Sequence, residues 1–245
     1  LNAGTTVAWT AKSWAQVKGA NETLRCATIG FRGRGNSHIG SIKGMQQREQ
    51  GVKLTALCDV DKKVLEAGAA KHKVAGYQDI RVMLEKEELD VVTVATPNHW
   101  HSLAAIWAVQ AGKDVYVEKP VSHNVWEGRQ LVNAARKYKK IVQTGTQARS
   151  SKCIQDAVQW VQAGNLGKIK VSRGLCYKRR GSIGDIPNTK DVPREVDYDL
   201  WLGPAPKKPL TRERQHYHWH RMWDYGNGDL GNQGRHQMDI ARWFL

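Results

Sequence analysis

A glycine-rich stretch near the start of the sequence has the residue types of a phosphate-binding turn. Residues 27–36 read Ala-Thr-Ile-Gly-Phe-Arg-Gly-Arg-Gly-Asn, after a β-rich run and before a helical pattern. Glycine lets backbone N–H groups approach a pyrophosphate, and the start of a helix adds its positive dipole end. Arg32 replaces the middle glycine of the G-x-G-x-x-G pattern, so its side chain must point away from the dinucleotide or touch a phosphate. The turn predicts a dinucleotide site, and the alternative is an ordinary glycine-rich turn.

Asp59 follows the next β-rich run, roughly 20 residues beyond the glycine turn, where dinucleotide sites place an acidic residue. A carboxylate there accepts hydrogen bonds from the ribose hydroxyls and repels a 2′-phosphate, which favours NAD over NADP. The nearby cations Lys62, Lys63, Arg32 and Arg34 weaken that preference and keep NADP as an alternative. The other interpretation of Asp59 is a helix N-cap.

Two further motifs follow the next two β-rich runs. Residues 95–101 read Ala-Thr-Pro-Asn-His-Trp-His, and residues 118–120 read Glu-Lys-Pro. Because ligands of an open α/β sheet bind at the carboxyl ends of its strands, we expect Asn98, His101 and Lys119 to face one ligand. The pKa of a lysine falls when it is partly buried, so Lys119 can hold a hydroxyl group and ease its deprotonation.

These motifs require an alternation of strands and helices. The predicted strands are Leu24–Ile29, Lys53–Cys58, Val91–Ala95, Asp114–Val117 and Lys140–Thr144, and the predicted helices are Ser37–Gln47, Asp61–His72, Asp79–Lys86, His99–Ala111 and Asn124–Tyr138. Strands that alternate with helices of this length indicate βαβ units with right-handed crossovers and a doubly wound parallel sheet.

The pattern changes after Gln147. A predicted helix over Lys152–Gln162 and a predicted strand over Lys168–Leu175 precede a stretch rich in glycine, proline and charge. We therefore divide the chain into a leader (residues 1–23), a dinucleotide-binding α/β domain (24–148) and an incomplete second domain (149–245).

Composition limits the class of protein. The 245 residues include 38 Lys and Arg against 23 Asp and Glu, a formal net charge of +15 at pH 7. No apolar run reaches the ~20 residues of a membrane-spanning helix. The basic residues are spread along the chain in short clusters, so a nucleic-acid partner is not favoured. The four cysteines lie far apart and lack zinc-site spacing.

Both ends of the sequence look cut. Residue 1 is Leu, and the chain stops within an apolar helical pattern at residues 240–245. Residues 1–23 are small and polar without a hydrophobic period, which is typical of the stretch behind an export signal or of a floppy leader. We expect a fragment of a periplasmic or secreted protein, with the cytoplasm as the alternative.

The order of four motifs resembles the glucose–fructose oxidoreductase / inositol dehydrogenase family (Gfo/Idh/MocA). These motifs are the glycine turn, the Cys-Asp-Val-Asp run at residues 58–61, residues 95–101 and residues 118–120. The resemblance extends over about residues 24–245. It implies an N-terminal Rossmann domain that binds NAD or NADP, followed by an α+β domain with an open, mostly antiparallel sheet. That sheet carries the substrate and the oligomer contact in the family, so a sugar-like small molecule and a homo-oligomer are implied.

The resemblance also implies roles for matching residues. Lys119 matches the catalytic lysine, and His236 matches the histidine that acts as acid/base. Asn232 stands where dehydrogenase members commonly carry Asp, and an amide can bond a hydroxyl but cannot relay a proton. Asp239, one turn beyond His236, is a candidate substitute or a structural residue. The implied cofactor contacts are Gly30, Phe31, Arg32, Gly33, Arg34, Gly35, Asp59, Thr96, Pro97, Asn98, His101, Glu118 and Lys119, and no metal is expected.

Residues 215–223 alternate histidine with aromatic residues. On a strand, His216, His218 and His220 would share one face as metal ligands do, but no further ligand stands at an identifiable spacing. We favour a polar and aromatic wall beside a sugar, and core packing of the aromatic rings is an equal alternative. The candidate wall residues are Tyr217, Trp219 and Trp223, with Tyr198 and Trp201 in the same region.

The expected activity is hydride transfer between a nicotinamide cofactor and a sugar, a polyol or a sugar derivative. Lys119 would position the reacting hydroxyl and His236 would accept its proton. One alternative is a glycosidase of the same superfamily, which retains NAD, cleaves glycosides by transient oxidation and elimination, and releases no net NADH. The other is a non-catalytic relative that binds the cofactor and has lost its proton relay at Asn232.

Overall fold

The computed structural model describes residues 23–177, 181–184, 189–211 and 215–245. Six strands form one sheet in the order β3-β2-β1-β4-β5-β6, and every neighbouring pair is parallel. The strands are β1 (Leu24–Ile29), β2 (Val52–Cys58), β3 (Ala75–Tyr77), β4 (Val91–Val94), β5 (Asp114–Val117) and β6 (Val142–Thr144). This is the doubly wound order, and the direction of winding reverses between β1 and β4, where a ligand crevice forms.

Helices follow the strands in alternation. They are α1 (Gly35–Gln47), α2 (Lys62–His72), α3 (Ile80–Lys86), α4 (Asn98–Gln110), α5 (Val125–Lys137), α6 (Lys152–Trp160), α7 (Tyr198–Leu202), α8 (Gln215–His218) and α9 (Arg235–Trp243). Side chains of β1 alternate between two buried clusters: Cys26 packs with Ile39 of α1, and Ala27 packs with Ala104 of α4. The sheet is therefore covered on both faces, as a parallel sheet requires.

Side-chain caps set where the first connecting helices begin. Asp61 Oδ1 accepts a hydrogen bond from the Val64 amide at 3.1 Å, and Asp79 Oδ1 accepts one from the Arg81 amide at 2.8 Å. Such caps stabilise a helix by about 1 kcal/mol each. Since the cap of α2 is Asp61, the N-cap interpretation of Asp59 is wrong.

The predicted elements up to residue 144 agree with the structure within about two residues at each end. The prediction missed β3, because Ala-Gly-Tyr is too short and too poor in β-branched residues to signal a strand. Cys26 and Cys58 are buried free thiols, as expected.

The second part of the chain corrects two predictions. Residues 168–175 do not form a strand, and the described residues beyond 149 contain no antiparallel sheet. The segment packs on α9 instead: Ser172 Oγ donates to the Ala241 carbonyl at 2.6 Å, and a Cβ on Gly174 would lie 2.7 Å from the backbone of Gln237. An extended segment needs a neighbouring strand to bond its backbone groups, and the described part of the chain supplies none here.

Residues 193–211 and 215–225 pack over the carboxyl edge of the sheet. The Lys62 amide donates to the Glu195 carbonyl at 2.8 Å, and the Asp197 amide donates to the Val60 carbonyl at 3.1 Å. Trp201, Leu202, Trp219 and Tyr225 form a third buried cluster above this edge. The second part of the chain thus covers the crevice between β1 and β4.

Among the described helices, none has the length and apolar composition needed to cross a membrane. The predicted leader, residues 1–23, lies outside the described residues except for Thr23.

Candidate active site

A cavity of about 530 Å³ opens at the carboxyl edge of the sheet, where β1 and β4 diverge. The turns after β1, β2, β4 and β5 line it together with side chains from α7, from residues 216–220 and from Asn232 and His236. Its volume lies in the range of small-molecule and cofactor sites. The predicted site residues that line it are Gly30, Arg32, Gly33, Arg34, Asp59, Thr96, Pro97, Asn98, His101, Glu118, Lys119, Asn232 and His236.

The glycines of the turn after β1 serve different purposes. Gly30 has a φ of +74°, and a Cβ there would lie 3.0 Å from the Thr96 Cα, so glycine is required where the two turns meet. A Cβ on Gly35 would lie 2.1 Å from the Gly30 carbonyl oxygen, so glycine is required where α1 begins. Gly35 does not line the cavity, unlike Gly30 and Gly33. An added Cβ on Gly33 would have no atom within 4 Å. Gly33 therefore faces open space.

Asp59 holds the glycine turn from the end of β2. Its Oδ2 accepts a hydrogen bond from the Phe31 amide and its Oδ1 accepts one from the Asp61 amide, both at 3.0 Å. Burial raises the pKa of Asp59, and the two backbone donors oppose that rise. The Phe31 ring is buried in the core and does not line the cavity. The Phe31 side chain is therefore turned away from the cavity, since a large apolar ring gains free energy from burial in the core.

Of the four cations expected near Asp59, only the two arginines line the cavity. Arg32 Nη1 lies 2.6 Å from Oδ2 of Asp61. Arg34 Nε donates to Oε1 of Glu118 at 2.8 Å. Both guanidinium groups therefore have a carboxylate partner within the protein.

Glu118 joins the glycine turn to the end of β5. Its Oε1 lies 2.8 Å from Arg34 Nε, 3.1 Å from His38 Nε2 and 3.1 Å from Gln147 Nε2. Burial raises the pKa of this carboxyl group, but His38 and Arg34 outweigh burial and lower the pKa to about 2. Glu118 is thus an ionised anchor. His38 and Gln147 were not predicted, because neither stands in a recognisable motif.

Lys119 meets Asn232 inside the cavity. The lysine Nζ donates to Asn232 Oδ1 at 2.9 Å and also to the Asn232 backbone carbonyl. Burial lowers the pKa of Lys119, Glu118 opposes this shift, and Arg34 adds to it. Asn232 lies in a π-type turn, Leu230–Gly234, directly before α9. Such turns occur frequently at functional sites.

His236 follows on the first turn of α9 and lines the same cavity. Burial and the positive charge of Lys119 lower its pKa below 6.5. The imidazole is therefore neutral at pH 7 and can accept a proton.

His101 braces two turns of the site. Its Nδ1 lies 2.6 Å from the Pro120 carbonyl oxygen, and its Nε2 lies 2.8 Å from the Thr96 carbonyl oxygen. Both ring nitrogens therefore bond to the backbone, although the His101 side chain also lines the cavity. Asn98, also buried, accepts a hydrogen bond from the Asn227 amide at 3.3 Å through Oδ1.

The His/Trp segment forms helical turns, α8 and the 3-10 turn Trp219–Arg221, and not a strand. His216, His218 and His220 therefore lack the alternation that would place all three side chains on one face of a strand. Within the described ranges, no three His, Cys, Asp or Glu side chains are grouped to hold a metal ion. Tyr217 and Trp219 line the cavity, and Trp219 also packs in the third buried cluster, whereas Trp223 is 90% exposed and does not line the cavity.

The Asp239 carboxylate forms an ion pair with Arg149, which the sequence did not indicate. Arg149 donates to its two carboxylate oxygens, at 2.7 Å through Nε and at 3.0 Å through Nη2. The same guanidinium lies 4.7 Å from the ring centroid of Trp243. Asp239 does not line the cavity. The ion pair and the position outside the cavity favour the structural alternative for Asp239 over its suggested substitution for the missing acidic residue.

The residues present fit a nicotinamide dinucleotide. Gly33 leaves open space at the start of α1, where a pyrophosphate can meet backbone N–H groups. Each carboxylate oxygen of Asp59 retains an acceptor position for a ribose hydroxyl. Thr96 Oγ1 is buried and has no hydrogen-bond partner in the described part of the chain. A bound group that donates or accepts there would satisfy it.

Similar proteins share the fold over part of their length. A "Glycosyl hydrolase family 109 protein" of Solibacter usitatus is 35% identical over 127 residues, which cover 47% of this chain and 28% of that relative. The WlbA dehydrogenase of Chromobacterium violaceum, solved with NADH and UDP-GlcNAcA, has a TM-score of 0.68 at 23% identity and matches 91% of this chain and 56% of its own. Myo-inositol 2-dehydrogenase of Lactobacillus plantarum has a TM-score of 0.54 at 28% identity, over 60% and 43% of the two chains.

Two family models match consecutive parts of the sequence. The first, an oxidoreductase family with an NAD-binding Rossmann fold (Gfo/Idh/MocA), matches residues 24–146, half of the chain. The second, the C-terminal alpha/beta domain of such oxidoreductases, matches residues 150–245. The chain spans little more than half of the solved structure of WlbA and about a quarter of the curated relative. The chain belongs to the Gfo/Idh/MocA oxidoreductase family, and residues 24–146 are its NAD-binding Rossmann domain.

Proposed function

We propose that this protein is an NAD-dependent oxidoreductase that oxidises a CH–OH carbon of a sugar, a polyol or a sugar derivative. The observation that carries the proposal is the position of Lys119. Its partly buried Nζ lies in one cavity with the glycine turn and His236, and is held there by Asn232. The named ligand of WlbA, a nucleotide-linked sugar acid, and the named substrate of the inositol dehydrogenase support a polyhydroxylated substrate.

NAD, when bound, accepts a hydride from the substrate carbon. The glycine turn and α1 would hold its pyrophosphate, and Asp59 would accept hydrogen bonds from its adenosine ribose. Thr96 and Lys119, at the ends of β4 and β5, would stand beside its nicotinamide half. These assignments leave the substrate to contact Lys119, Asn232 and His236.

Lys119 would hold the reacting oxygen. An ammonium group has three N–H donors, and Asn232 takes two of them, so one remains for a substrate hydroxyl. As the C–H electron pair leaves with the hydride, the O–H bond breaks and the carbon–oxygen double bond forms. The positive charge on Nζ stabilises the developing negative charge on that oxygen.

His236 would accept the hydroxyl proton on a ring nitrogen. Its lowered pKa keeps the imidazole neutral at pH 7, which is the form that a base needs. Asn232 orients Lys119 and takes no part in the proton transfer, since a side-chain amide acts as neither an acid nor a base near pH 7. Tyr217 and Trp219 would exclude water from one side of the site.

A second candidate function is supported by the similarity to the glycosyl hydrolase family 109 protein of Solibacter usitatus. In such an enzyme the same oxidation would be transient. The new carbonyl group would make the neighbouring C–H proton acidic, and loss of that proton would expel the glycosidic group, which leaves as the protonated alcohol or phenol, and form a C=C bond. Water would then add across that bond, and the hydride would return to the carbonyl carbon to give the free sugar. Lys119 and His236 would serve both reactions. The match covers about half of this chain, so it bears mainly on the cofactor domain.

The two functions differ in their products. We would incubate the purified protein and NAD with a panel of sugars, inositols and aryl glycosides, and measure NADH absorbance and released phenol in parallel. NADH that accumulates with a free sugar or polyol supports the oxidoreductase. Released phenol without net NADH supports the glycosidase. Neither product with any compound, despite saturable NAD binding, would contradict both and favour the non-catalytic relative.

A further inference from the structure

The corner of the cavity at the end of β2 holds two carboxylates and one guanidinium. Asp59 and Arg32 line the cavity. Arg32 Nη1 lies 2.6 Å from Oδ2 of Asp61, and the Asp61 side chain is only 4% exposed, whereas that of Arg32 is 51% exposed. A buried carboxylate therefore holds a half-exposed guanidinium beside the carboxylate expected to face the adenosine ribose.

We propose that Asp61 makes this site prefer NAD over NADP, by holding the Arg32 guanidinium and by keeping this corner negatively charged. The inference rests on the NAD-binding domain and is independent of which substrate is oxidised. Asp59 alone does not decide the preference, because an unpaired arginine beside it would attract a 2′-phosphate.

The charges at this corner give the direction of the effect. NADP carries an additional phosphate on the adenosine ribose, with a charge of about −1.5 to −2 at pH 7. Asp59 and Asp61 together outweigh Arg32, so that phosphate meets a net negative charge. His216 Nε2 lies 3.6 Å from the same oxygen of Asp61, but burial and Arg32 lower its pKa, so it is neutral at pH 7 and does not cancel this charge.

Removal of the Asp61 charge would reverse the role of Arg32. A guanidinium that has lost its carboxylate partner can bind a phosphate through two parallel hydrogen bonds. Asp61 also caps α2 by accepting a hydrogen bond from the Val64 amide. Because Asn caps helices as well as Asp does, Asp61→Asn removes the charge and keeps the cap.

The test is the binding of NAD, NADH, NADP and NADPH to the purified protein, followed by tryptophan fluorescence, for which the chain has 10 Trp. We expect the wild type to prefer the NAD pair. Asp61→Asn should raise the affinity for the NADP pair, relative to the NAD pair, by about tenfold or more, which corresponds to about 1.4 kcal/mol. Arg32→Gln in the Asp61→Asn background should remove most of that gain.

The matched control is Asp79→Asn. Asp79 also caps a helix, and it lines the cavity, but its partner is Arg81 and not Arg32. It should leave the ratio of affinities within about threefold. Asp61→Ser, which also keeps a capping oxygen, replaces Asp61→Asn if thermal melting shows that the latter is unfolded. An unchanged ratio in a folded Asp61 variant, a gain that survives Arg32→Gln, or a wild-type preference for NADP would overturn the inference. Normal NAD preference without any turnover would contradict only the proposed function.

Discussion

Lys119 and Asn232 lie 113 residues apart in the sequence, yet the lysine Nζ stands 2.9 Å from the asparagine Oδ1. The contact joins the end of β5 to the π-type turn before α9. A carboxylate at position 232 would raise the pKa of Lys119 by charge attraction, whereas an amide accepts the same hydrogen bond without that effect. The amide therefore orients the ammonium while burial continues to lower its pKa.

Lys119→Ala should lower kcat on the true substrate by about 10²- to 10⁴-fold, the usual contribution of a positioned proton-transfer or hydrogen-bonding group. The dissociation constant for NAD should change by less than about threefold, since the glycine turn and Asp59 remain. Steady-state kinetics and fluorescence titration measure the two effects. Lys113→Ala removes a lysine that does not line the cavity and is the control. Normal turnover of Lys119→Ala would contradict the proposed mechanism.

The pH dependence of kcat/KM should report His236. Its pKa is lowered below 6.5, so the reactive neutral form is present above that pKa and is lost as the pH falls through it. Asn232→Asp adds an opposite charge one helical turn away and should move this acid limb to higher pH by about half a unit to one unit. His236→Gln should abolish the limb. If the acid limb of the pH profile stays at the same pH in both variants, it reports the titration of a group other than His236.

Gly33→Ala should separate cofactor binding from stability. No atom lies within 4 Å of the added methyl group, so the melting temperature should stay within about 2 °C of the wild type. The methyl group would occupy space that a bound pyrophosphate needs, and NAD affinity should fall by about tenfold or more. Gly40→Ala, also in open space but on α1 away from the turn, is the control and should leave NAD affinity unchanged. Unimpaired NAD binding by Gly33→Ala would place the pyrophosphate elsewhere.

Arg149→Ala should destabilise the protein by about 1–2 kcal/mol at pH 7, measured by urea unfolding. Asp239 is largely buried, but the Arg149 side chain is 41% exposed, which keeps the effect at the low end. The hydrogen bond from Arg149 lowers the pKa of Asp239, so this stabilisation exists above the unfolded pKa of about 3.8 and is lost as the pH falls through the folded pKa.

Lys152→Ala is the control for that measurement, because it removes an exposed pair with Asp156 on α6 and should cost less than about 0.5 kcal/mol. Equal stability of the wild type and Arg149→Ala at pH 7 would show that the Arg149 pair does not hold α9 in place.

The sequence by itself determined the first 120 or so residues of the described fold. The periods of the strands and helices, the glycine turn and the order of motifs are local signals, and each depends on residues only a few positions apart. The same locality explains the successful placement of Asp59, Asn98 and Lys119 at the cavity, since every parallel strand ends at the same edge of the sheet.

Only the tertiary structure decided which way the motif side chains turn and which distant groups they meet. The Phe31 ring packs in the core, whereas the Arg32 guanidinium pairs with Asp61. His101 bonds to the backbone of two turns, and Asp239 pairs with Arg149. The segment at residues 168–175 has strand-like composition but packs on α9. These outcomes depend on partners that are distant in sequence, and neither periodicity nor motif spacing carries information about such partners; burial and hydrogen-bond satisfaction select them when the chain packs.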